Sequence, residues 1–195
     1  MKKLLLLVGM CWGLMGCVAG QHVKLNHIPS SVAQETRIAI NIEVKDQRDA
    51  VVKGHWGRDR IGAYRAGFGN KWDVTTFKNR ALADLIKEDL SEDARSLGYQ
   101  VVENGQEQKW LRVAITTWDF DGYIDTRFWY AFTIEVLNHA GEVLAKDAIE
   151  GEKIMHGNAM TGAKSGVQRD LPKIYSGLIE DLLRNNIKIR KSIDS

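Results

Sequence analysis

Two stretches of alternating apolar residues between Leu111 and Val136 restrict the fold more than any other feature of this sequence. In the first, Leu111, Val113 and Ile115 alternate with Arg112 and Ala114, and the strand continues towards Phe120. In the second, apolar side chains recur at every other position, namely Phe128, Tyr130, Phe132, Ile134 and Val136. A period of two places such side chains on one face of a β-strand. Because Asp121-Gly122, a common turn pair, lies between the stretches, the region predicts a long hairpin with one buried face.

Shorter strands are predicted on either side of this hairpin. Residues 37–46 alternate, with Ile38, Ile40, Ile42 and Val44 on one side. Residues 99–103 form a short strand, and residues 142–152 follow a turn at 138–141. These segments extend the hairpin into a sheet of several strands.

Two amphipathic helices are predicted from apolar residues that recur at three and four positions. The first begins at Thr75 or Thr76, either of which can cap it, and ends at Gly98. The second runs from about residue 166 to 185, and Pro172 fits only in its first turn, so the regular helix should begin near Asp170. The order of elements predicts an α+β fold in which an antiparallel sheet carries both helices on one face.

The first 20 residues have the layout of an export signal. Lys2 and Lys3 precede an apolar run that ends in small residues around Cys17. The run is shorter than the roughly 20 apolar residues that a transmembrane helix needs. We therefore expect residues 1–16 to be a signal peptide that is removed.

The segment Leu14-Met15-Gly16-Cys17 resembles the lipobox of bacterial lipoproteins. This resemblance implies that Cys17 becomes the first residue of the mature protein and the site of lipid attachment. The alternative is an ordinary signal peptide with an incidental cysteine. Under the lipoprotein interpretation, residues 17–36 are a lipidated N-terminus and polar tether, residues 37–187 are a single periplasmic domain, and residues 188–195 are a frayed tail.

Charge and cysteine content narrow the class of protein. Removal of Lys2 and Lys3 with the signal leaves 25 basic and 25 acidic residues, so the mature chain is formally neutral. Neutrality argues against a nucleic-acid partner, which needs many contacts from Lys and Arg to phosphate. Membrane attachment is expected to rest on the acyl chains at Cys17. Because the other cysteine, Cys11, lies in the signal, no disulfide is expected in the domain.

Residues 46–73 break the periodicity and are rich in glycine and aromatic residues. The segment matches neither the dinucleotide-binding fingerprint nor the phosphate-binding loop. One interpretation is a ligand-binding loop, since glycine allows close approach of the backbone. The other, which we favour, is an irregular hairpin or a long exposed loop in which glycine marks turns. The candidate binding residues here are Trp56, Tyr64, Phe68 and Trp72.

Aromatic residues are also dense between Trp110 and Phe132. Trp129 falls on the opposite face of its strand from Phe128, so both faces carry rings, and one set should pack against the helices. The other set forms an exposed apolar patch for a lipid, glycan or protein, or it is covered by another part of the chain. Trp118 and Trp129 are the candidate binding residues of this region.

Patterns typical of catalytic and metal sites are missing from the sequence. The five histidines are scattered without the spacing of a helical metal pair. The acids Asp119, Asp121 and Asp125 do not keep the register of a calcium loop. The sequence has no Gly-x-Ser-x-Gly elbow and no cysteine beyond Cys17 that could act as a nucleophile. We therefore expect a protein that is not an enzyme and holds no metal or cofactor.

Four short features together resemble the YajG-like family of bacterial lipoproteins. They are Leu14 to Cys17, the strand that leads into Val44-Lys45-Asp46-Gln47-Arg48, the helix end Leu97-Gly98-Tyr99, and the closing amphipathic helix. The resemblance implies an outer-membrane lipoprotein on the periplasmic face with no assigned catalysis. Val18, rather than Asp, after the cysteine agrees with outer-membrane sorting in such lipoproteins. We interpret the Asp-Gln-Arg and Leu-Gly-Tyr motifs as structural.

The expected function is therefore the binding of a protein partner in the envelope. The protein would serve assembly or maintenance, for example in an outer-membrane or lipid-transport complex. The alternative is a small-molecule or glycan binder that uses segment 54–72. Nothing in the sequence specifies an oligomeric state.

Overall fold

The fold is organised by one long central strand, β6. The computed structural model describes residues 21–29, 38–65, 69–103, 109–158 and 160–195. Within these ranges the chain forms an eight-stranded sheet. The strands are β1 (Gln21–Val23), β2 (Ala39–Asp46), β3 (Arg60–Arg65), β4 (Lys71–Thr76), β5 (Gln100–Val101), β6 (Lys109–Gly122), β7 (Asp125–Leu137) and β8 (Val143–His156).

The sheet forks at β6. On one side β6 pairs along its length with antiparallel β7, which in turn pairs with antiparallel β8. On the other side β6 pairs first with β2, through Lys109 to Ile115, and later with β3, at Asp121 and Gly122. Strand β5 extends the β2 branch, whereas β4 and then β1 extend the β3 branch. The two branches share β6 but pair with different halves of it.

The hairpin predicted from the alternating residues is confirmed as β6 and β7. The buried side chains of β7 include Phe128, Phe132, Ile134 and Val136, as the period of two predicts. Glycine is required at the turn, because a Cβ atom on Gly122 would lie 2.3 Å from the carbonyl oxygen of Asp125. The turn that joins β6 to β7 therefore needs glycine at position 122, because any side chain there would clash with the Asp125 backbone.

The predicted α+β class, with amphipathic helices packed on a sheet, is confirmed, but the sheet is mixed rather than wholly antiparallel. Strands β2 and β3 both run parallel to β6. The chain between β2 and β6 passes through a hairpin and a helix, and a connection of that length permits parallel pairing. Alternation of apolar residues indicates which face is buried, but it does not indicate the direction of the neighbouring strand.

Three helices cover one face of the sheet. The described helices are α1 (Asp49–Val52), α2 (Leu82–Ser96), α3 (Ala163–Leu182) and α4 (Ile187–Asp194), with a 3₁₀ turn at Phe77–Asn79. Helix α2 contacts β2 and β5, whereas α3 and α4 contact β7 and β8. The core lies between these helices and the sheet and includes Ile40, Ile86, Leu90, Phe128, Ile134, Leu171, Tyr175 and Ile179.

The predicted helix boundaries need correction. Thr75 and Thr76 end strand β4, and α2 begins only at Leu82. Gly98 follows α2 with a φ of 94°, as predicted for a residue that ends a helix. Pro172 lies inside α3 rather than in its first turn. The turns before it contribute Ala163, Val167 and Leu171 to the core, and their burial outweighs the hydrogen bond that proline removes.

The C-terminal residues form a packed helix, so the predicted frayed tail at 188–195 is wrong. Ile189 and Ile193 of α4 are buried in the core. The side chain of Asn186 caps α4 by accepting a hydrogen bond from the Ile189 amide at 3.1 Å. The hydroxyl of Tyr99 donates to Asp194 at 2.7 Å. The two buried isoleucines, four residues apart, place one face of this short helix in the core.

Residues 21–29 also belong to the domain, which corrects the tether predicted for residues 17–36. Strand β1 pairs with β4 from Gln21 to Val23, and Val23 and Leu25 are buried. His27 is buried as well, and its ring lies between Ser176 Oγ at 2.9 Å and Asp93 Oδ1 at 3.3 Å. The rest of the predicted tether and Cys17 lie outside the described residues.

In the described part of the chain, no helix combines the length and the hydrophobicity that crossing a bilayer would require.

Candidate functional site

A buried arginine fills the fork of the sheet. Between the segment of β6 that pairs with β2 and the segment that pairs with β3, the carbonyl oxygen of Trp118 points towards the fork. Arg48 Nη1 donates to this oxygen at 3.3 Å and to the carbonyl oxygen of Arg60 at 2.6 Å. The same guanidinium holds Asp46 at the end of β2, with Nε to Oδ1 at 2.9 Å and Nη2 to Oδ2 at 2.7 Å. Arg48 therefore ties three strands together.

The motif Asp46-Gln47-Arg48 thus has a structural role, as interpreted from the sequence. The Arg48 and Asp46 side chains are only 2% and 4% exposed. The Gln47 amide donates to the carbonyl oxygen of Ile115 at 2.9 Å, which continues the β2 ladder to the edge of the fork. The two-pronged pairing of Arg with a carboxylate fixes the geometry of both side chains.

A cavity of about 370 Å³ opens at this fork, on the face of the sheet opposite helices α2, α3 and α4. Its floor is the backbone around Trp118, at the stretch where β6 passes from one branch to the other. Two indole rings stand at its wall, because Trp129 points outward from β7 and Trp56 follows α1. Its lining includes Arg48, Trp56, Thr116, Thr117, Asp119 and Trp129. We call this cavity the fork cavity.

Trp56 is held in place by a cation. The guanidinium carbon of Arg60 lies 3.7 Å from the centre of the Trp56 ring. Arg60 is itself fixed by Asp73, at 2.7 Å from its Nε, and by Asp119, at 3.0 Å from its Nη1. Burial raises the pKa of Asp119 above its usual value, and the charge of Arg60 opposes that shift only in part. The wall of the fork cavity therefore combines an aromatic ring with a partly buried carboxyl group.

Trp129 is positioned by the neighbouring strand. Its indole Nε1 donates to Glu152 Oε2 on β8 at 3.0 Å, and Arg127 pairs with the other oxygen of Glu152 at 3.2 Å. The ring therefore stands between the fork and the β8 edge with its polar atom satisfied. Both indoles of the fork cavity are ordered by charged partners before any ligand arrives.

The outer face of the sheet carries ion pairs around this cavity. Arg112 contacts Glu43 at 2.8 Å and Glu135 at 3.8 Å, and Lys146 contacts Glu135 at 2.9 Å. The two alternatives for this face were an exposed apolar patch and a covered surface. In the structure, the described outer face carries ion pairs between β2, β6, β7 and β8, and Trp56 and Trp129 line the fork cavity.

The ring of Trp118, a predicted binding residue, lies in the core, although the residue also lines the fork cavity. Its ring is 1% exposed and packs edge-on against Phe128, Phe132 and Tyr175, with ring centres 4.8, 6.2 and 6.1 Å away. A β-bulge between Ile115 and Thr117 reverses the alternation of β6, so Trp118 points towards the helices. Its indole Nε1 has no hydrogen-bond partner among the described residues.

The glycine-rich segment does not form one site. It folds as the antiparallel hairpin of β3 and β4, as the favoured interpretation held. Tyr64 and Trp72 are cross-strand partners in this hairpin and line a second, smaller cavity of about 170 Å³. Tyr64 is mostly buried against Phe120, with ring centres 5.9 Å apart, and burial raises the pKa of its hydroxyl. Phe68 lies outside the described residues.

Arg48, Arg60 and Asp119 were missed as site residues. Arg48 and Arg60 stand among other basic residues in the sequence. Nothing in their spacing shows that Arg48 bonds to two strands at the fork or that Arg60 contacts the Trp56 ring. Asp119 was considered only for a calcium loop. The sequence offered one indication of the buried ion pair, which is that Asp46 and Arg48 stand two residues apart at the end of a strand with a buried face.

A Ser-His-Asp group, in which His27 and Asp93 are buried, holds the N-terminal segment to the helices. His27 bridges Ser176 of α3 and Asp93 of α2, and Arg184 donates to the same Asp93 oxygen at 2.7 and 3.0 Å. Ser176 lies well inside a 20-residue helix, where backbone amides are bonded within the helix and are not free to bind an oxyanion. The trio has the residue types of a catalytic triad, and its contacts fasten residue 27 to two helices.

No group of three or more His, Cys, Asp or Glu side chains within the described ranges is arranged to hold a metal ion.

Comparison with known proteins identifies the fold. No protein-family model matches the sequence, and no curated protein is a significant match. Among solved structures, a Xanthomonas campestris protein of the DUF330 family superimposes with a TM-score of 0.54 at 10% identity, covering 90% of this chain and 98% of that one. The chain shares the fold of this DUF330 protein. At this identity the likeness extends to the fold alone.

Two further structures are more distant. A PelC dodecamer from Paraburkholderia phytofirmans has a TM-score of 0.32 at 12% identity, covering 78% of this chain and 94% of that one. A lipoprotein from Neisseria meningitidis has a TM-score of 0.30 at 10% identity, covering 74% and 99%. Both scores are too low to carry an argument about this chain.

Proposed function

We propose that this chain is a lipid-anchored, non-enzymatic binding protein of the bacterial envelope, of the YajG-like kind. It would be attached through Cys17 to the periplasmic face of the outer membrane. Support for the anchor comes from the signal-like run that ends in Leu14-Met15-Gly16-Cys17. The two cysteines, both in the first 17 residues, leave the domain free of thiol chemistry.

The observation that carries the binding role is the fork cavity. Its volume of about 370 Å³ lies in the range of ligand pockets, and its lining joins aromatic rings to a few charged groups. Trp56 is held by Arg60 and Trp129 by Glu152, so the site loses little side-chain freedom when it is filled. A preformed aromatic cavity surrounded by charges is suited to recognition.

The first candidate ligand is a protein of the envelope. One apolar or aromatic side chain of the partner would enter the fork cavity, and the ion pairs of the outer face would supply the polar rim. Interfaces commonly combine a buried aromatic anchor with such a rim. This arrangement suits a protein that serves assembly or maintenance of an outer-membrane or lipid-transport complex.

Cross-linking in intact membranes followed by co-purification tests this role. We expect a defined partner with the parent protein and its loss with Trp129→Ala or Trp56→Ala. Phe77→Ala is the matched control, because it removes an exposed aromatic ring that lines neither cavity. Recovery of the same set of proteins with all three variants would refute the role of the fork cavity.

The second candidate is a glycan or another small ring-bearing molecule. It is favoured by the polar residues Asp119, Thr116 and Thr117, which line the cavity together with Trp56 and Trp129. Titration of the protein with soluble cell-wall glycan fragments, followed by tryptophan fluorescence and calorimetry, tests it. Binding should disappear in Trp129→Ala and persist in Trp72→Ala, and an absence of heat and spectral change in the parent would reject glycans as ligands.

The lipid anchor has its own test. Intact mass spectrometry of the membrane-extracted protein should give a chain that begins at Cys17 and carries acyl chains, whereas Cys17→Ser should give none. An unmodified parent chain would refute the anchor.

A further inference from the structure

The domain begins very close to the proposed lipid site. Strand β1 starts at Gln21, and its pairing with β4 and the burial of Val23 and Leu25 fix it to the sheet. Cys17 is four residues before Gln21. Because an extended chain spans at most about 3.3–3.6 Å per residue, the Cα atoms of Cys17 and Gln21 can be no more than about 14 Å apart. An acylated Cys17 would therefore hold the start of β1 at the bilayer surface.

The surroundings of Gln21 are therefore the part of the domain nearest to that surface. Strands β1 and β4 are parallel, so the chain enters β1 from the end where β4 begins, at Lys71 and Trp72. Gln21 and Trp72 line the smaller cavity together with Thr161, Gly162 and Ala163 at the start of α3. Three parts of the chain thus meet beside the anchor.

Exposed apolar side chains gather at this end. Trp72 is 41% exposed, and Met160, next to Thr161, is 96% exposed. The turn between β6 and β7 adds Tyr123 and Ile124, at 49% and 39%. Backbone hydrogen bonds join this turn to the start of α3, from the Ala163 amide to the Tyr123 oxygen at 2.9 Å and from the Gly157 amide to the Ile124 oxygen at 3.1 Å. We call these four side chains the anchor-side rim.

Basic side chains lie beside the rim. Lys164 follows Ala163 in the first turn of α3, is exposed, and has no ion-pair partner among the described residues. Arg65 and Lys71 lie on the same hairpin as Trp72, and both pair with Asp121 at 2.7 Å. Aromatic side chains favour the headgroup level of a bilayer, and basic side chains are attracted to anionic lipid. The composition of this end suits a lipid surface.

We propose that the anchor-side rim inserts into the headgroup region of the bilayer that holds Cys17, so the domain stands in one orientation rather than swinging on a tether. This orientation rests on the proposed lipid anchor. Strand β7 leads away from the rim, and the hairpin reverses at the far end, where Val143 and Leu144 are exposed at the start of β8. The 14 residues of β8 place that far end about 40 Å from the rim.

Fluorescent labels at the two ends test the orientation in the complete lipidated protein. Met160→Cys places a label in the rim, and Leu144→Cys is the matched control at the other end of the hairpin. Each variant is labelled with an environment-sensitive fluorophore and reconstituted into vesicles of phosphatidylethanolamine and phosphatidylglycerol, with or without nitroxide-labelled lipid. We expect a shift to shorter wavelength and strong quenching at position 160, with neither at position 144.

Intact mass spectrometry of the same samples separates the two proposals. An acylated protein whose label at position 160 is not quenched, or is quenched no more than the label at position 144, overturns the orientation and leaves the anchor standing. A protein without acyl mass overturns the anchor and, with it, the orientation. Both substitutions replace exposed side chains, so we expect both variants to fold. Circular dichroism of the labelled proteins checks this.

Discussion

Arg48→Met should be among the most destabilising single substitutions in this protein. Methionine keeps an unbranched apolar stem and removes the guanidinium group with its charge. The Asp46 carboxylate, which is 4% exposed, would then be buried without its partner, and the carbonyl oxygens of Arg60 and Trp118 would lose their donor. The substitution removes hydrogen bonds at the point where β2, β3 and β6 meet, so it should destabilise both branches of the sheet.

The expected magnitude follows from the burial of the pair. Removal of one partner from a buried ion pair costs about 3–5 kcal/mol, because the other charge stays behind in a poorly solvated site. For a chain of this size, each kcal/mol lowers Tm by about 2–4 °C, so we expect a decrease of about 6–20 °C. Arg48→Lys should fall between the parent and Arg48→Met, because lysine keeps the charge but cannot bind the carboxylate through two nitrogens.

Urea unfolding of the mature chain with Cys17→Ser, which removes the lipid site, measures these differences. Arg112→Met is the matched control, since it breaks an exposed ion pair with Glu43 and should cost only about 0–1 kcal/mol. The double variant Asp46→Asn with Arg48→Met should recover part of the loss by removing the stranded charge. If Arg48→Met and Arg112→Met proved equally stable, the reasoning about the fork would be wrong.

Three other predictions follow from buried contacts. His27→Ala should cost about 1–3 kcal/mol, because it removes a buried ring together with its hydrogen bonds to Ser176 and Asp93, and limited proteolysis should then cut residues 21–29 faster than in the parent. Gly62→Ala should cost about 1–3 kcal/mol, since its Cβ would lie 2.3 Å from the Phe120 ring, whereas Gly177→Ala, with open space in a helix, should gain about 0.5–1 kcal/mol in thermal unfolding. Burial raises the pKa of Asp119 in the folded protein above 3.8, its value in the unfolded chain. Between these two pKa values the unfolded chain loses the proton first, so the free energy of unfolding decreases as pH rises through that interval. Asp119→Asn should therefore match the parent at about pH 3 and be the more stable of the two at about pH 7 in denaturant titrations.

Local patterns predicted much of the fold. The period of two in β7 identified its buried face because each side chain of a strand points to one side or the other of the backbone. Gly98 was placed correctly at the end of α2 because a left-handed residue there is a local requirement. Both properties depend on neighbours in the sequence, so the sequence alone reveals them.

The candidate site was predicted only in part. Trp56 and Trp129 were named, and the structure brings them to one cavity, but it places Tyr64 and Trp72 in another. Trp118 was misplaced because a single bulge residue in β6 reverses the alternation that the pattern assumes. An aromatic-rich stretch therefore indicates that rings cluster, but not which rings share a cavity.

The sequence by itself determined the α+β class, the central hairpin, the presence of the two long helices with the approximate position of their C-terminal ends, and the motif that points to a lipid anchor. Each of these is encoded in residues that are close together in the chain. They needed no knowledge of what packs against them.

Only the tertiary structure decided the rest. The fork of the sheet, the role of Arg48 and the docking of residues 21–29 and 187–194 all depend on residues that are distant in sequence and meet only after folding. The short segments at the two ends have the polar composition of flexible tails. In the structure they are held to the domain because Val23, Leu25, Ile189 and Ile193 are buried in the core. Their burial is a property of the space left between the helices and the sheet, which no local pattern records.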